Sequence, residues 1–184
     1  MRTNPVVHAC HTDRVPEFVV AGALVEHRGH LLLVLNRRRG GFTDWSTPGG
    51  VIDATDASLI AGLTREVEEE TGLRVTSWEG PLYEVRTSAP DLGWQMRAEV
   101  HRALTFEGEL AVADPDGIVI DAMFVEPAEL ATRLEQCHPW VAEPIVEWLE
   151  GRWGPDDART YHYEVRGTAR ESWSTARLRV VRGS

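Results

Sequence analysis

The chain has 184 residues, enough for one well-buried domain, and its 42% hydrophobic and 26% charged residues suit a globular rather than a disordered protein. A net charge of −10 argues against a strong non-specific grip on nucleic acid or on an anionic membrane. It leaves room for a phosphorylated small molecule, because a metal ion can reverse the local sign.

All nineteen basic residues are Arg. Schiff-base chemistry on Lys and a Walker-type phosphate Lys are therefore ruled out, and phosphate recognition must rest on guanidinium, metal or backbone amides. No apolar run behind a basic start marks a signal peptide, and no stretch of about 18 apolar residues predicts a membrane span. Cys10 and Cys137 are far apart and lack metal-ligand spacing. They read as reduced thiols, and the expected location is cytoplasmic.

In chain order, residues 1–16 read as an irregular leader punctuated by Pro5 and Pro16. "EFVVAGALVEHRGHLLLVLNRR" predicts two strands joined by a turn at "HRGH". "GGFTDWSTPGG" reads as a loop by its Gly, Pro, Ser and Asp content. From about Asp56 to Thr71, Leu59, Ile60, Leu63 and Val67 recur at helical spacing, with Asp56 or Thr55 as the expected N-cap and Gly72 at C′. Strands are then expected in "LRVTSW", "LYEVRTS", "WQMRAEVHRALTF" and "GIVIDAMFV". Helices are expected in "EPAELATRLEQ" and "WVAEPIVEWLEG", the second shortened or kinked by Pro144. The order β-β-α-β-β-β-α predicts an α+β domain with a mixed sheet between helices, at residues 17–154. Residues 155–184 form a β-rich extension that could add a strand to a partner's sheet, which makes a homodimer the expected assembly.

The stretch "REVEEETGL" places Glu66, Glu69 and Glu70 at i, i+3 and i+4, on one helix face, with Arg65 at i, i+4 from Glu69. Most charge runs are solvated faces. Here, however, like charges at that spacing cost a few tenths of a kcal/mol, and anions in a last turn oppose the helix dipole by about 0.3–1 kcal/mol each. A hard divalent cation removes both penalties, and carboxylates suit Mg²⁺ or Mn²⁺.

The full stretch "GGVIDATDASLIAGLTREVEEETGL", residues 49–73, resembles the signature of the Nudix (MutT-like) hydrolases, with Gly50, Arg65, Glu66, Val67, Glu69, Glu70, Gly72 and Leu73 in the matching positions. "LLLVLNRR" and "WSTPGG" are similar to the strand and loop that lead into that box, and the resemblance extends over roughly residues 17–150. One position departs. Asp56 stands where the family has Glu, and eight residues rather than seven separate it from Arg65. The resemblance implies an α/β/α sandwich and metal-dependent hydrolysis of a nucleoside diphosphate linked to another moiety. It implies metal ligation by Glu66, Glu69, Glu70 and the Gly50 carbonyl, with Arg65 among the catalytic set. Glu66 is the first choice as base; acids outside the box are Asp121, Asp114, Asp116 and Glu99. In the run Arg37, Arg38 and Arg39, Arg37 or Arg38 would meet phosphate; Asp121 is also a candidate substrate contact, and Trp94 or Trp45 would stack a base. His101 reads as structural, and Pro48 as a brace for the loop. The competing expectations are a Nudix domain that only senses nucleotides and, more weakly, an isoprenoid diphosphate isomerase or an RNA-decapping enzyme. Neither cysteine lies near the box, and no basic stripe is present.

Overall fold

Side-chain alternation along β1 (Glu17–Leu24) decides which helix covers which side of the main sheet. Ala21 and Ala23, followed by Val25, pack with Leu63 and Val67 of α1 (Leu59–Thr71). Val20 and Leu24 turn the other way, into a core shared with Leu130 and Leu134 of α2 (Pro127–Leu134) and with Ile145 and Trp148 of α3 (Pro139–Gly151). The small residues on the α1 side let that helix lie close to the sheet, while the bulky side builds the larger core. In this computed structural model, residues 15–38, 40–135, 137–167 and 179–183 are described. The leader expected at 1–16 therefore falls largely outside them, as do Cys10 and Arg39.

The main sheet adds β5 (Gly49–Val51), β6 (Arg74–Ala89), β7 (Trp94–Glu107), β9 (Arg159–Arg166) and β10 (Arg179–Arg182), in the order β10-β9-β6-β7-β1-β5. β1 runs parallel to β7 and antiparallel to β5; β6 runs antiparallel to β7 and parallel to β9. A smaller sheet joins β2 (Glu26–His27), β3 (His30–Arg37), β4 (Thr43–Ser46) and β8 (Val119–Val125), with β3 bonded to each of the others. The result is a mixed sheet layer between α1 on one side and α2 and α3 on the other, as expected. Among the described residues no helix is long and apolar enough to cross a membrane.

Four local expectations are corrected. The N-cap of α1 is Ser58, whose hydroxyl accepts from the Ala61 N–H at 3.1 Å; the Asp56 carboxylate is engaged elsewhere. "GGFTDWSTPGG" contains β4 and β5, each too short to show a period, and held by pairing to β3 and β1. "LRVTSW" and "LYEVRTS" are one strand, β6, whose register shifts between Glu79 and Tyr83. α3 continues through Pro144, whose missing N–H leaves the Trp140 carbonyl without its usual donor.

The tail is built into this chain's own sheet. Along β9, Tyr161, Tyr163 and Val165 are buried beside β6, and their neighbours alternate outward. Two hydroxyls of that strand reach α3: Tyr161 donates to Glu147 and Tyr163 to Glu143, each at 2.9 Å.

Replacing the observed cap by Ser58→Ala is expected to destabilise the fold by about 1 kcal/mol, as measured by the midpoint of urea denaturation.

Candidate active site

From the middle of α1, one guanidinium gathers three carboxylates. Arg65 donates to Asp56 through Nε (3.2 Å) and Nη2 (3.0 Å), and through Nη1 to Glu66 (2.7 Å) and Glu69 (3.1 Å). Asp56 also accepts from the Asp53 N–H at 2.9 Å, so the longer loop is folded back onto its own acid. The Arg65 hydrogen bond holds the Asp56 carboxyl below its usual range, and the same partnership holds Arg65 firmly charged. The shorter acid on its longer loop thus reaches Arg65 with both oxygens.

Gly72 closes α1 in the left-handed region at φ 72°, and Glu70 of the last full turn reaches β5. Its carboxylate accepts the Gly49 N–H at 2.8 Å. Gly49 itself has φ 135°, and a Cβ there would overlap the Ala21 carbonyl oxygen. A Cβ on Gly50 would lie 2.5 Å from Glu66 Oε2, so bare backbone is what lets Glu66 come down on the strand. Burial pushes the Glu70 carboxyl up to about 8 despite the Gly49 hydrogen bond, and the charges of Glu66 and Asp114 act in the same upward direction. Burial also raises Glu66; Arg65 opposes this, and Glu69 and Asp116 reinforce it.

Hydrogen bonds at Ala23 N–H to Pro48 O and Ile52 N–H to Val19 O fix the phase of the β1–β5 ladder. Gly50, opposite Ala21, then faces β1 with both backbone groups, and Gly49 turns its own outward to the free side of the strand. Of the two glycines, Gly49 thus offers its carbonyl on the acid-lined edge.

The other expected residues divide into near and far. Asp114 and Asp116 lie in the β7–β8 loop, close enough for their charges to act on Glu70 and Glu66. Asp114 spends its carboxylate on the N–H groups of Asp116, Ile118 and Val119, and Asp116 is exposed. Glu99 sits two strands from Gly50, on the far side of Ala21, roughly 10 Å away at normal strand spacing. It is tied to Arg97 and stands 3.5 Å from buried His101. Asp121 pairs with Leu35 on the α2/α3 side of the small sheet, capping the Ala122 N–H, and does not face the α1 acids. Trp94 begins β7 opposite Ala89, five residues before Glu99 and roughly 16 Å along the strand from it. Trp45 is buried under the Arg133 guanidinium. Arg37 is exposed at the end of β3, its N–H on the Ile118 carbonyl. Arg38 is held by both oxygens of Asp44, at 2.9 and 3.0 Å. Cys137 is buried, its thiol on the Trp45 carbonyl, and burial pushes its pKa up to about 12, which makes it inert.

Across the Gly49–Gly50 edge from the acids lies a cavity of about 280 Å³. Trp140 and Val141 of α3 form one wall, Tyr83, Met96 and Val100 of the sheet another, and Arg38 stands among the lining residues. Sequence reasoning missed Trp140; seven Trp in the chain gave no reason to prefer it over a core role. The His138 ring stacks on it at 4.0 Å with planes 8° apart, which fixes the indole orientation. His138 Nδ1 is buried and has no hydrogen-bond partner among the described residues, and burial pushes the imidazole down to about 4.

Glu66, Glu69, Glu70 and the Gly49 carbonyl are all oxygen donors around an excess of negative charge, which suits a hard divalent cation. In this arrangement Arg65 draws Glu66 and Glu69 to one guanidinium while the Gly49 N–H takes up Glu70, and among the described residues no three acid or His side chains converge as a ligand set.

Residues 16–149 match the NUDIX domain family. A MutT-like protein of Streptomyces ambofaciens is 45% identical over 73 residues, a match that spans 40% of this chain and 40% of that protein. The fold is similar to that of a MutT NUDIX hydrolase from Burkholderia pseudomallei, with 25% identity, a TM-score of 0.58, and coverage of 73% of this chain and 96% of that one. It is also similar to the MutT mutator protein from Bacillus halodurans, with 20% identity, a TM-score of 0.59, and coverage of 89% and 97%.

Two measurements bear on this geometry. Asp56→Asn is expected to weaken divalent-cation binding about 10–100-fold, by loosening Arg65 and with it Glu66 and Glu69, as read from calorimetric titration with divalent cations. His138, depressed when folded, contributes stability that is present above its unfolded pKa of 6.5 and lost as pH falls toward about 4. Melting temperatures of wild type and His138→Phe measured from pH 7 to pH 4 are expected to show a steeper acid decline in the wild type.

Proposed function

The chain belongs to the NUDIX family, and on that premise we propose that it hydrolyses the diphosphate linkage of a nucleoside diphosphate derivative with the help of Mg²⁺ or Mn²⁺. The observation that carries the proposal is the docking of Glu70 on the Gly49 N–H, which sets the acid-rich end of α1 against the bare edge of β5 and beside a cavity.

In this reading Glu66, Glu69, Glu70 and the outward carbonyl of Gly49, rather than that of Gly50, hold the cation. When bound, the cation supplies charge neutralisation, Lewis-acid polarisation of the phosphate and a more acidic water. Arg65 keeps two of these carboxylates in place from behind and in turn leans on Asp56. Glu66, whose carboxyl is raised by burial, is the first choice to take the proton of the attacking water; exposed Asp116 in the adjacent loop is the second. Arg38, already oriented by Asp44, and Arg37 contact phosphate oxygens. Asp121 and Trp94 are not assigned to the site in this reading, because their strand positions face or lie away from it.

The organic half of the substrate enters the cavity and lies against Trp140. Its lining is mainly apolar and aromatic, which suits the flat base common to nucleoside triphosphates, nucleotide sugars and ADP-ribose-like molecules. It offers little to a second, hydroxyl-rich sugar, so a nucleoside triphosphate is the favoured class. The competing reading is a Nudix domain that senses nucleotides without cleaving them. The contact of Asp56 with Arg65, which keeps Glu66 and Glu69 braced, supports the hydrolase reading over it.

The test is phosphate release, with and without added pyrophosphatase, from nucleoside triphosphates, nucleotide sugars, ADP-ribose and dinucleoside polyphosphates in Mg²⁺ or Mn²⁺. Turnover is expected for the triphosphates and is expected to vanish in Glu69→Gln and Glu70→Gln. Nucleotides that raise the melting temperature of the wild type without being cleaved would sink the hydrolase reading.

A further inference from the structure

The cavity wall formed by α3 is held in place by strands that lie beyond the family match, which ends at residue 149. Glu143 and Glu147 are one turn apart on α3 and face β9. Tyr163 donates to Glu143 Oε2 and Tyr161 to Glu147 Oε2, both at 2.9 Å. Arg182 of β10 donates to Glu147 Oε1 at 2.6 Å and stands 3.7 Å from Glu143, while its guanidinium lies over the Tyr161 ring. Arg159 adds a contact of 3.7 Å to Glu147. Each carboxylate is therefore gripped by at least two groups from the tail.

Tyr161 also touches the opposite wall of the cavity. β9 runs in register with β6, with Val85 opposite Tyr161, and the rings of Tyr83 and Tyr161 meet edge to face at 5.8 Å. Tyr83 and Val85 line the cavity from the sheet side. Trp140 precedes Glu143 by three residues, and Val141 precedes Ile145 by four, so the first two turns of α3 carry Glu143 together with the cavity wall, and Glu147 follows one turn later. A shift of Glu143 along β9 moves Trp140 with it, because one helix is one rigid element.

We propose that Tyr161, Tyr163 and Arg182 are positioning residues for substrate: they set the distance between α3 and the sheet, and thereby how tightly the cavity holds the organic half of the ligand. This rests on the reading that the cavity receives that half. It makes the C-terminal strands part of the specificity apparatus although they contact no phosphate-handling residue.

The test compares wild type, a Tyr161→Phe/Tyr163→Phe double variant, Glu143→Gln, which retains an acceptor for the Tyr163 hydroxyl, and Trp140→Ala, which removes the wall itself. Steady-state kinetics are measured with the best substrate of the panel, and binding by calorimetry with the α,β-methylene analogues of ATP and GTP. In the double variant KM and the analogue Kd are expected to rise about tenfold, with kcat nearly unchanged. Trp140→Ala is expected to rise at least as far, and Glu143→Gln to stay close to wild type. Inhibition by inorganic pyrophosphate, which has no organic half, is expected to be the same in all four. Amide exchange in residues 141–145 is expected to quicken in the double variant. A lower melting temperature and faster exchange with unchanged KM and Kd would overturn the proposal and leave the clasp merely structural; so would weakened pyrophosphate inhibition. Exchange unchanged at α3 would overturn it whatever the ligand. A wild type that binds no nucleotide while the double variant still exchanges faster would instead fail the functional reading, with the clasp on α3 intact.

Discussion

The contact of Arg65 with Asp56, Glu66 and Glu69 is what allows the end of α1 to exist in its observed form. Carboxylates at i, i+3 and i+4 repel one another, and anions in a last turn oppose the helix dipole. One planar guanidinium with five donors can satisfy several of them at once, which an ammonium cannot do with the same geometry. The hub is about one-third exposed at Arg65, so its net contribution to stability is modest. Its value lies in orientation. It points two acids along the helix face while leaving Glu70, the third, free to swing onto β5.

That division explains how the two halves of the site meet. The acids approach the sheet from the α1 side, and the cavity opens on the α3 side; β5 is the edge strand between them. Side chains at Gly49 and Gly50 would close the passage, one against Ala21 and the other against Glu66. A polar chain can then cross the edge with its anionic part on one face and its flat part on the other. Layer order, strand register and two glycines thus do as much for the site as the charged residues themselves.

Much of this was legible in the sequence. The stripe Leu59, Ile60, Leu63 and Val67 is long enough to show a helical period, and the acids after it oppose the helix dipole and fall in the positions of the Nudix signature that the stretch resembles. The box residues Glu66, Glu69, Glu70 and Arg65 were therefore identifiable, as was the layered fold. Short elements were not: β4 and β5 take their conformation from partners remote in sequence, and no local pattern reveals that. Nor was the cap visible, because Asp56 and Ser58 are equally good candidates until Arg65 is seen to engage one of them. Trp94 and Trp140 are chemically the same residue, and only register and helix packing separate the distant one from the one beside the cavity. The choice between the Gly49 and Gly50 carbonyls likewise turns on ladder phase, which a sequence does not print.

The Gly49 amide has one more consequence. A strand at the end of a sheet exposes unpaired backbone groups, and such an edge is a template on which another chain can extend the sheet. β5 is that edge here, nearly devoid of side chains to blunt it. Glu70 takes up one of its amides, and the neighbouring carboxylates surround it with charge that repels an incoming strand. The acid at the end of α1 therefore also occupies a stretch of backbone that would otherwise stand open to an incoming strand.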